Sequence, residues 1–251
     1  MPTIASLYRY PVKGLSPEAL ARVALAPGET FPNDRAYAIE NGRSKFDPAA
    51  PRWLPKASFL MLMKNERLAA LATRFDDRTA TLTIRHGGSV VAEGSLDTEA
   101  GRRTIEAFFE TYAGEDLRGP PKVLAAPGHS FSDVAGKVVS LINLASLRDL
   151  AGHTGKPLHP LRFRGNLYVE GLPAWSETSW IGRAIGAGSM RLKALQPIAR
   201  CAATNVDPET AVRDLTVPET LTAAYGKPEC GVYLEVVAAG EMRVGDEINA
   251  I

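Results

Sequence analysis

The chain has 251 residues, of which 45% are hydrophobic and 23% are charged, a balance typical of globular proteins. Its net charge of +1 provides no overall field to attract nucleic acid or an acidic membrane surface. Two cysteines cannot supply a disulfide framework, a four-cysteine zinc site or an iron–sulfur cluster. There is no signal-peptide pattern and no apolar run of about 20 residues. We therefore expect a cytoplasmic protein without nucleic-acid or membrane partners.

Short strands separated by glycine and proline dominate the predicted elements. Several of them alternate in part between apolar and polar residues, as half-buried antiparallel strands do. The C-terminal LEVVAAGEMRVGDEI is typical of a hairpin. In chain order the strand candidates are TIASLYRY, ALARVALA, RAYAIE, ATLTIR, SVVAEG, NLYVEG, MRLKALQPIAR and GVYLEVV.

Four segments have the spacing of helices. The segment after Asp97 has apolar residues at helical intervals, and Gly114 can end it. NLASLRDLAG offers Asn143 as the N-cap and Gly152 as the C-cap. PAWSETSWIGRAI predicts a third helix that carries two tryptophans.

The fourth helix is predicted over TVPETLTAAYG, with Thr216 and Glu219 as a capping box and Gly226 at its end. Strands outnumber helices and are not strictly interleaved with them. This order favours antiparallel sheets or barrels, and hence a β-rich α+β fold rather than a doubly wound one.

The most informative single residue is Cys201, in PIARCAATNVDPETA. A cysteine on an apolar strand is most often a core residue. Here a polar turn follows the strand, and Arg200 next to the thiol would favour the thiolate. Asp207 is expected to tighten that turn through backbone amides. Cys230 has no adjacent cation and is assigned to structure, so from these residues we expect one reactive thiol, unpaired, at a strand end.

Six segments, in order, resemble the MOSC proteins, which are related to the C-terminal domain of molybdenum cofactor sulfurase. The most specific is RCAATNVDPETA, which is similar to R-C-x-x-T-x-V-D-P-x-T-G. The resemblance extends from about residue 3 to residue 249 and is to the two-part group that includes the mitochondrial amidoxime-reducing component and bacterial reductases of N-hydroxylated bases. The six segments are YPVKGLSPEAL, DRAYAI, LASLRDL, RFRGNLYVEG, RCAATNVDPETA and GVYLEVVAAGEMRVGDEI.

The resemblance implies an N-terminal β-barrel-like domain over residues 1–120 and a MOSC β-barrel over residues 121–251. It also implies a molybdenum cofactor, molybdopterin carrying molybdenum, with Cys201 as metal ligand and catalytic residue. A thiolate suits a soft metal, and a helix N-terminus with nearby cations suits the pterin phosphate. The cofactor-binding residues implied by matching positions are Lys13, Gly14, Arg35, Ser146, Arg164, Asn166, Arg200 and Tyr233.

Two expectations follow for the site. The cationic residues of this set are far apart in sequence, and we expect Lys13, Arg35, Arg164 and Arg200 to converge in one cleft. Four positions depart from the family pattern, and they affect the pterin site rather than the metal ligand. They are Gly14, where the family often has serine, Ala145, where a hydroxyl residue can occur, Gly165, which replaces proline, and Ala211, which replaces glycine.

By this resemblance the chain is a molybdenum-dependent oxidoreductase that reduces N-hydroxylated or N-oxide small molecules. Electrons would come from a separate donor protein, a ferredoxin, flavin or b-type cytochrome reductase system. One alternative is a carrier of sulfur or of the cofactor, with Cys201 as persulfide or cofactor anchor. Another is a β-rich interaction domain whose site has decayed. Pyridoxal phosphate is not expected, because no lysine motif for it is present.

Overall fold

A computed structural model describes all residues, 1–251. It confirms the β-rich α+β class, with three α-helices among many short strands. The helices are α1 (Glu99–Ala113), α2 (Leu144–Thr154) and α3 (Val217–Tyr225). The strands are β1 (Thr3–Arg9), β2 (Glu18–Leu20), β3 (Arg22–Leu25), β4 (Tyr37–Glu40), β5 (Leu71–Asp76), β6 (Thr81–His86), β7 (Ser89–Ser95), β8 (Lys122–Ala125), β9 (Val139–Asn143), β10 (Leu167–Glu170), β11 (Ala184–Ala187), β12 (Met190–Ala199), β13 (Glu229–Ala238), β14 (Gly240–Arg243) and β15 (Ile248–Ala250).

The largest sheet has eight strands in the order β15-β11-β12-β13-β9-β10-β1-β2. Its pairs are antiparallel except β9 with β10, which are parallel. Thr3 at the start of β1 bridges to Glu247 beside β15, and the Ile4 N–H donates to the Asp246 carbonyl at 2.9 Å. These contacts join the two ends, so the sheet closes into a barrel and β2 lies outside the ring. The expected barrel is therefore present.

The barrel takes strands from both halves of the chain. In β1 the buried residues Ile4 and Leu7 belong to the same apolar core as Leu141 and Val232. Strand β3 likewise pairs with β14 near the C-terminus. The division into residues 1–120 and 121–251 thus does not separate two sheets, and as a domain boundary it stays a prediction.

The rest of the first half forms a second core. Strands β5, β6 and β7 make an antiparallel sheet, and β4 pairs with β8. Helix α1 packs on this unit through Ile105 and Phe109, which are fully buried. Thr98 accepts the Gly101 N–H at 3.1 Å as N-cap. The helix predicted after Asp97 is therefore confirmed, with its end at Gly114.

The predicted C-terminal hairpin is wrong. Strand β13 is followed by β14 after a single residue, Ala239, and the shortest common hairpin loop has two residues. Strand β14 pairs with β3, and β15 pairs with β11. The chain therefore continues around the barrel instead of folding back on itself.

Helix α2 begins at the predicted N-cap Asn143 but does not end at Gly152. Its C-cap is Gly155, which has a left-handed φ of 68° and donates its N–H to the Ala151 carbonyl. Gly152 stays inside the helix. A left-handed glycine that closes the last turn is the usual end signal, and Gly155 is the residue that adopts it.

The other two helix predictions also need correction. PAWSETSWIGRAI forms only a 3₁₀ turn, Ser176–Trp180, followed by strand β11. Helix α3 is present, but Thr216 makes no side-chain cap. Instead the Val217 N–H donates to Asn205 Oδ1 at 2.7 Å. A tertiary partner replaces the local capping box, which ties α3 to the loop after β12.

Gly231 in β13 predicts a stability test. It has a φ of +79°, and a Cβ added there would lie 2.3 Å from the Leu141 carbonyl oxygen. Gly231→Ala should lower the free energy of unfolding by at least about 3 kcal/mol, because left-handed strain and a backbone clash add together. Gly245 has a φ of +93° but open space around it. Gly245→Ala should cost only about 1 kcal/mol. Urea unfolding of both variants measures the difference, and equal losses would contradict the clash.

Candidate functional site

A cavity of about 330 Å³ lies where the two halves of the chain meet. Its walls come from the loops after β1, β3 and β4, the segment 130–138, the turn before β10, the end of β12, and β13. Eight of the nine predicted site residues line it: Lys13, Gly14, Arg35, Arg164, Asn166, Arg200, Cys201 and Tyr233. The expected convergence of Lys13, Arg35, Arg164 and Arg200 in one cleft is confirmed.

Cys201 is the accessible thiol of the pair. It follows the end of β12 and stands immediately before the 3₁₀ turn Ala202–Asn205, half-buried and lining the cavity. Both cysteines are free, as expected. Cys230 is buried, and burial raises the pKa of its thiol to about 12. A thiol with that pKa stays protonated at neutral pH, so the available nucleophile or soft ligand is Cys201.

The cation that faces Cys201 is Lys56, not Arg200. The Arg200 guanidinium is turned away and donates to the Cys230 and Phe163 carbonyls, both at 2.8 Å. Lys56 lines the same cavity, and its ammonium is close enough to the Cys201 side chain for that side chain to affect the pKa of Lys56. Burial lowers the pKa of Lys56, but the nearby Cys201, Asp133 and Tyr233 outweigh burial and raise it. The cation near the thiol is thus a lysine from the loop before β5 rather than the predicted Arg200.

Tyr10 organises two of the arginines. Its ring is buried, and the guanidinium carbons of Arg35 and Arg164 lie 4.5 and 4.3 Å from its centroid. Arg35 also pairs with Asp34 at 2.5 Å and donates to the Arg164 carbonyl at 3.0 Å. Both arginines have a left-handed backbone, with φ of 52° and 49°. For a residue with a side chain this is strained, and such strain concentrates at functional sites.

Arg164 is the arginine least compensated by the protein. It donates to the Leu15 carbonyl at 2.8 Å, but it forms no ion pair. Removal from water lowers its pKa, and the neighbouring Arg35 acts in the same direction. A cation held in this way leaves donors free for an anion in the cavity.

Lys13 is buried and already satisfied. Its ammonium donates to the Phe131 carbonyl at 2.7 Å and to Asp133 Oδ1 at 2.5 Å. Burial lowers the pKa of Lys13, while Asp133 opposes that change. Asp133 was not predicted as a site residue, and nothing in its local sequence marks it.

Arg162 is a further cavity residue that was not predicted. Its side chain is 1% exposed and pairs with Asp207 at 2.6 Å and Asp214 at 2.8 Å. Asp207 Oδ1 accepts the N–H groups of Glu209 and Thr210 at 2.9 and 3.0 Å, which confirms its predicted turn-tightening role. The same carboxylate therefore shapes the turn after Cys201 and fixes Arg162. Nε of Arg162 has no hydrogen-bond partner.

Asn166 and Tyr233 line the cavity in different ways. The Asn166 amide is engaged by the protein, with Oδ1 accepting from Ser140 Oγ at 2.8 Å and Nδ2 donating to the Tyr8 carbonyl at 3.1 Å. Asn166 thus holds β1, β9 and β10 in register at the cavity wall. Burial raises the pKa of Tyr233, so its hydroxyl keeps its proton at neutral pH and can donate into the cavity.

Ser146 is the one predicted site residue that does not line the cavity. It is fully buried, and its hydroxyl donates to Glu177 at 3.0 Å and accepts the Trp175 N–H at 2.8 Å. Asn143 also donates to Glu177 at 2.8 Å. The anion at the N-terminus of α2 is therefore a carboxylate of the protein itself, and the pKa of that carboxyl is raised by burial.

The departures from the family pattern have a backbone explanation at two positions. Gly14 has a φ of +84°, and a Cβ there would lie 3.0 Å from the Leu60 carbonyl, so serine would be strained. Ala211 has a φ of 58°, a conformation in which glycine costs less than alanine. Gly14 therefore suits the turn beside the cavity, whereas Ala211 strains the backbone at its position.

The side chains of the cavity suit a cofactor that already coordinates its own metal. No group of three or more His, Cys, Asp or Glu side chains could hold a bare metal ion. Six cationic side chains and two carboxylates line the cavity, and Lys56, Arg164 and Arg200 form no ion pair. One thiol with a cationic wall fits a soft metal carried by an anionic cofactor. None of the helices is long and apolar enough to span a membrane.

The position of Lys56 predicts the reactivity of Cys201. An ammonium beside a thiol stabilises the negative charge of the thiolate, which is the form that reacts with iodoacetamide. Lys56→Met should slow alkylation of Cys201 at pH 7.5 about tenfold. Lys64→Met, at an exposed lysine outside the cavity lining, should leave the rate unchanged. Mass spectrometry of the Cys201 peptide gives the rate, and equal rates in all three proteins would remove Lys56 from this role.

Comparisons with known proteins agree with this architecture. The family model of the MOSC N-terminal beta barrel domain matches residues 1–117, and that of the MOSC domain matches residues 126–249. Mitochondrial amidoxime-reducing component 1 of Homo sapiens is 32% identical over 282 residues, covering 98% of this chain and 82% of that protein. The Mus musculus protein of the same name is 32% identical over 131 residues, covering 47% of this chain and only 37% of that protein.

Among solved structures, the YuaD protein from Bacillus subtilis is similar with a TM-score of 0.45 and 15% identity, covering 99% of this chain and 94% of that one. The sequence relationships are the stronger finding, because the structural similarity has a TM-score of only 0.45 and 15% identity. The chain belongs to the MOSC family, as a protein in which a MOSC N-terminal beta barrel domain precedes a MOSC domain.

Proposed function

We propose that this chain is a molybdenum-cofactor oxidoreductase that reduces N-hydroxylated small molecules. The observation that carries the proposal is the cavity itself: one accessible thiol, Cys201, faces a wall of cations that carboxylates only partly neutralise. The relationship to amidoxime-reducing components supports the reaction class. N-oxides belong to the same chemistry, because they too lose oxygen from nitrogen.

In this proposal the Cys201 sulfur would be the protein's ligand to molybdenum. A thiolate is a soft ligand, and the protein offers no other such group in the cavity, because Cys230 is buried against α2 and α3. The Lys56 ammonium lines the same cavity as this sulfur. Lys13, Arg35 and Arg164, which line the same cavity, would bind the anionic end of the pterin.

When bound, the molybdenum centre supplies the two-electron redox change that removes oxygen from the substrate nitrogen. The protein binds and orients the cofactor and the substrate, and it excludes water. Arg35 and Arg164 are fixed by the Tyr10 ring, so little reorganisation is needed when an anion binds. The Tyr233 hydroxyl keeps its proton and can donate a hydrogen bond to a ligand oxygen. Met61, Leu62 and Met63 give part of the wall an apolar surface for the organic group.

Electrons come from a separate protein in this proposal. One of the two cysteines is committed to the metal and the other is buried, so this chain has no ligand set for an iron–sulfur cluster. A cavity of about 330 Å³ is in the range of small-molecule sites. The substrate is therefore small, and the donor protein docks outside the cavity.

The metal-ligand assignment is tested by exchanging the sulfur. Cys201→Ser supplies a harder, poorly ionised ligand, so molybdenum content and benzamidoxime reduction should fall about 100-fold or more while the fold persists. Cys230→Ala is the matched control and should retain both. The measurements are metal analysis and reduction with methyl viologen as donor, in protein made in a molybdopterin-producing host. Metal and turnover retained in Cys201→Ser would refute the ligand role, and metal without turnover in the parent would favour a carrier.

The anion-binding wall is tested at Arg164. Arg164→Gln keeps a donor for the Leu15 carbonyl but removes the charge, so the pterin content of purified protein should fall about tenfold. Arg148→Gln removes an equal charge from an exposed pair with Glu170 outside the cavity lining, and should have no effect. Fluorescence of the oxidised pterin measures the content. If both variants carry as much pterin as the parent, the cationic wall does not bind the cofactor.

A further inference from the structure

Asp133 stands among the cations that the proposed function assigns to the cofactor anion. It lies in the segment 126–138, which has no helix or strand, and its side chain is 51% exposed. Its Oδ1 accepts from the Lys13 ammonium at 2.5 Å. Lys56 and Arg35 also attract its carboxylate. One carboxylate thus neutralises part of three cationic side chains at the cavity wall.

The segment that carries Asp133 is held loosely on either side of this contact. Before it, the Phe131 N–H donates to the Arg35 carbonyl at 2.7 Å, and after it the Val138 carbonyl accepts from Thr30 Oγ1 at 2.8 Å. Between these anchors, residues 132–136 bond to the rest of the protein through the Asp133 carboxylate alone. Breaking the Lys13 contact would therefore free this short stretch without disturbing a strand.

The cost of releasing Asp133 is small compared with that of a buried acid. A carboxylate that is half exposed regains water when it leaves, whereas Lys13 is buried and needs an anion or an acceptor at the same place. A phosphate offers more charge and more acceptor oxygens than one carboxylate. An incoming phosphate can thus replace Asp133 on Lys13.

We propose that Asp133 is an internal counter-anion that occupies the phosphate position of the cavity and is displaced when the anionic ligand binds. The inference rests on the proposed anion-binding role of the cavity. Asp133 holds the cations together in the empty protein, and it lowers the apparent affinity for the ligand because the ligand must compete with it. Asp133 is then a residue that sets how tightly, and how reversibly, the anion is held.

The test uses the full chain purified from a host that makes no molybdopterin, with pyrophosphate as the probe. Asp133→Asn removes the competing charge, so the Kd for pyrophosphate measured by calorimetry should fall about tenfold. Glu110→Gln makes the same change in net charge at an exposed residue of α1 outside the cavity lining, and should leave the Kd within about twofold. In the parent, a crystal structure with bound pyrophosphate should show the Asp133 carboxylate beyond hydrogen-bonding distance of the Lys13 ammonium, because the probe has replaced it there.

Each outcome either supports or overturns the displacement of Asp133. Tighter binding in Asp133→Asn, together with an Asp133 carboxylate that has left Lys13 in the parent complex, supports displacement. If the parent binds pyrophosphate and Asp133→Asn binds it equally well or more weakly, Asp133 organises Lys13 for the ligand. This result overturns the inference but leaves the anion site intact. Tighter binding with the Asp133 carboxylate still bonded to Lys13 in the parent complex also overturns it, since the carboxylate then repels the probe but does not move. If neither protein binds pyrophosphate, the anion site of the proposed function fails as well.

Discussion

The structure around the cavity depends on a single electrostatic constraint: several cations must be held close together, partly out of water, without a matching number of acids. Repulsion among them is offset in part by the carboxylates of Asp34 and Asp133, and otherwise by contacts that carry no full negative charge. The Tyr10 ring makes cation–π contacts with Arg35 and Arg164, and backbone carbonyls accept hydrogen bonds from Lys13 and Arg200. Such groups stabilise a cation without neutralising it. The wall therefore keeps its positive potential for a ligand.

The barrel provides the rigidity that this arrangement requires. Strand β1 enters the sheet formed by the second half of the chain, and the chain leaves it at Tyr10 and Lys13. Strand β12 ends beside them and delivers Cys201. Gly231 in β13 leaves room for the Arg200 guanidinium, which lies 3.2 Å from where a Cβ would be. Because two halves of the chain share one sheet, their contributions to the cavity cannot move independently.

Charge is distributed so that each cation has a different task. Lys56 faces the thiol, Arg200 fixes the carbonyls behind it, and Arg162 anchors the turn that follows it through Asp207. The N-terminus of α2 is occupied by a side chain of the protein itself, since Ser146 and Asn143 donate hydrogen bonds to Glu177. That buried network explains why a helix start that resembles an anion site does not open on the cavity.

The sequence by itself determined the β-rich class, the family, helix α1, and the strand-end position of the free Cys201, because these depend on local periodicity and on motifs that are contiguous in the chain. It also indicated eight residues of the cavity through the same motifs. The tertiary structure alone decided which cation lies near the thiol, since Lys56 and Asp133 come from loops with no motif and reach the site only when β1 and β12 belong to one barrel. The tertiary structure also decided that Ser146 bonds to Glu177 instead of lining the cavity, because buried polar groups need hydrogen-bond partners. It decided that β14 pairs with β3 rather than β13, because strand edges can pair with segments that are distant in sequence.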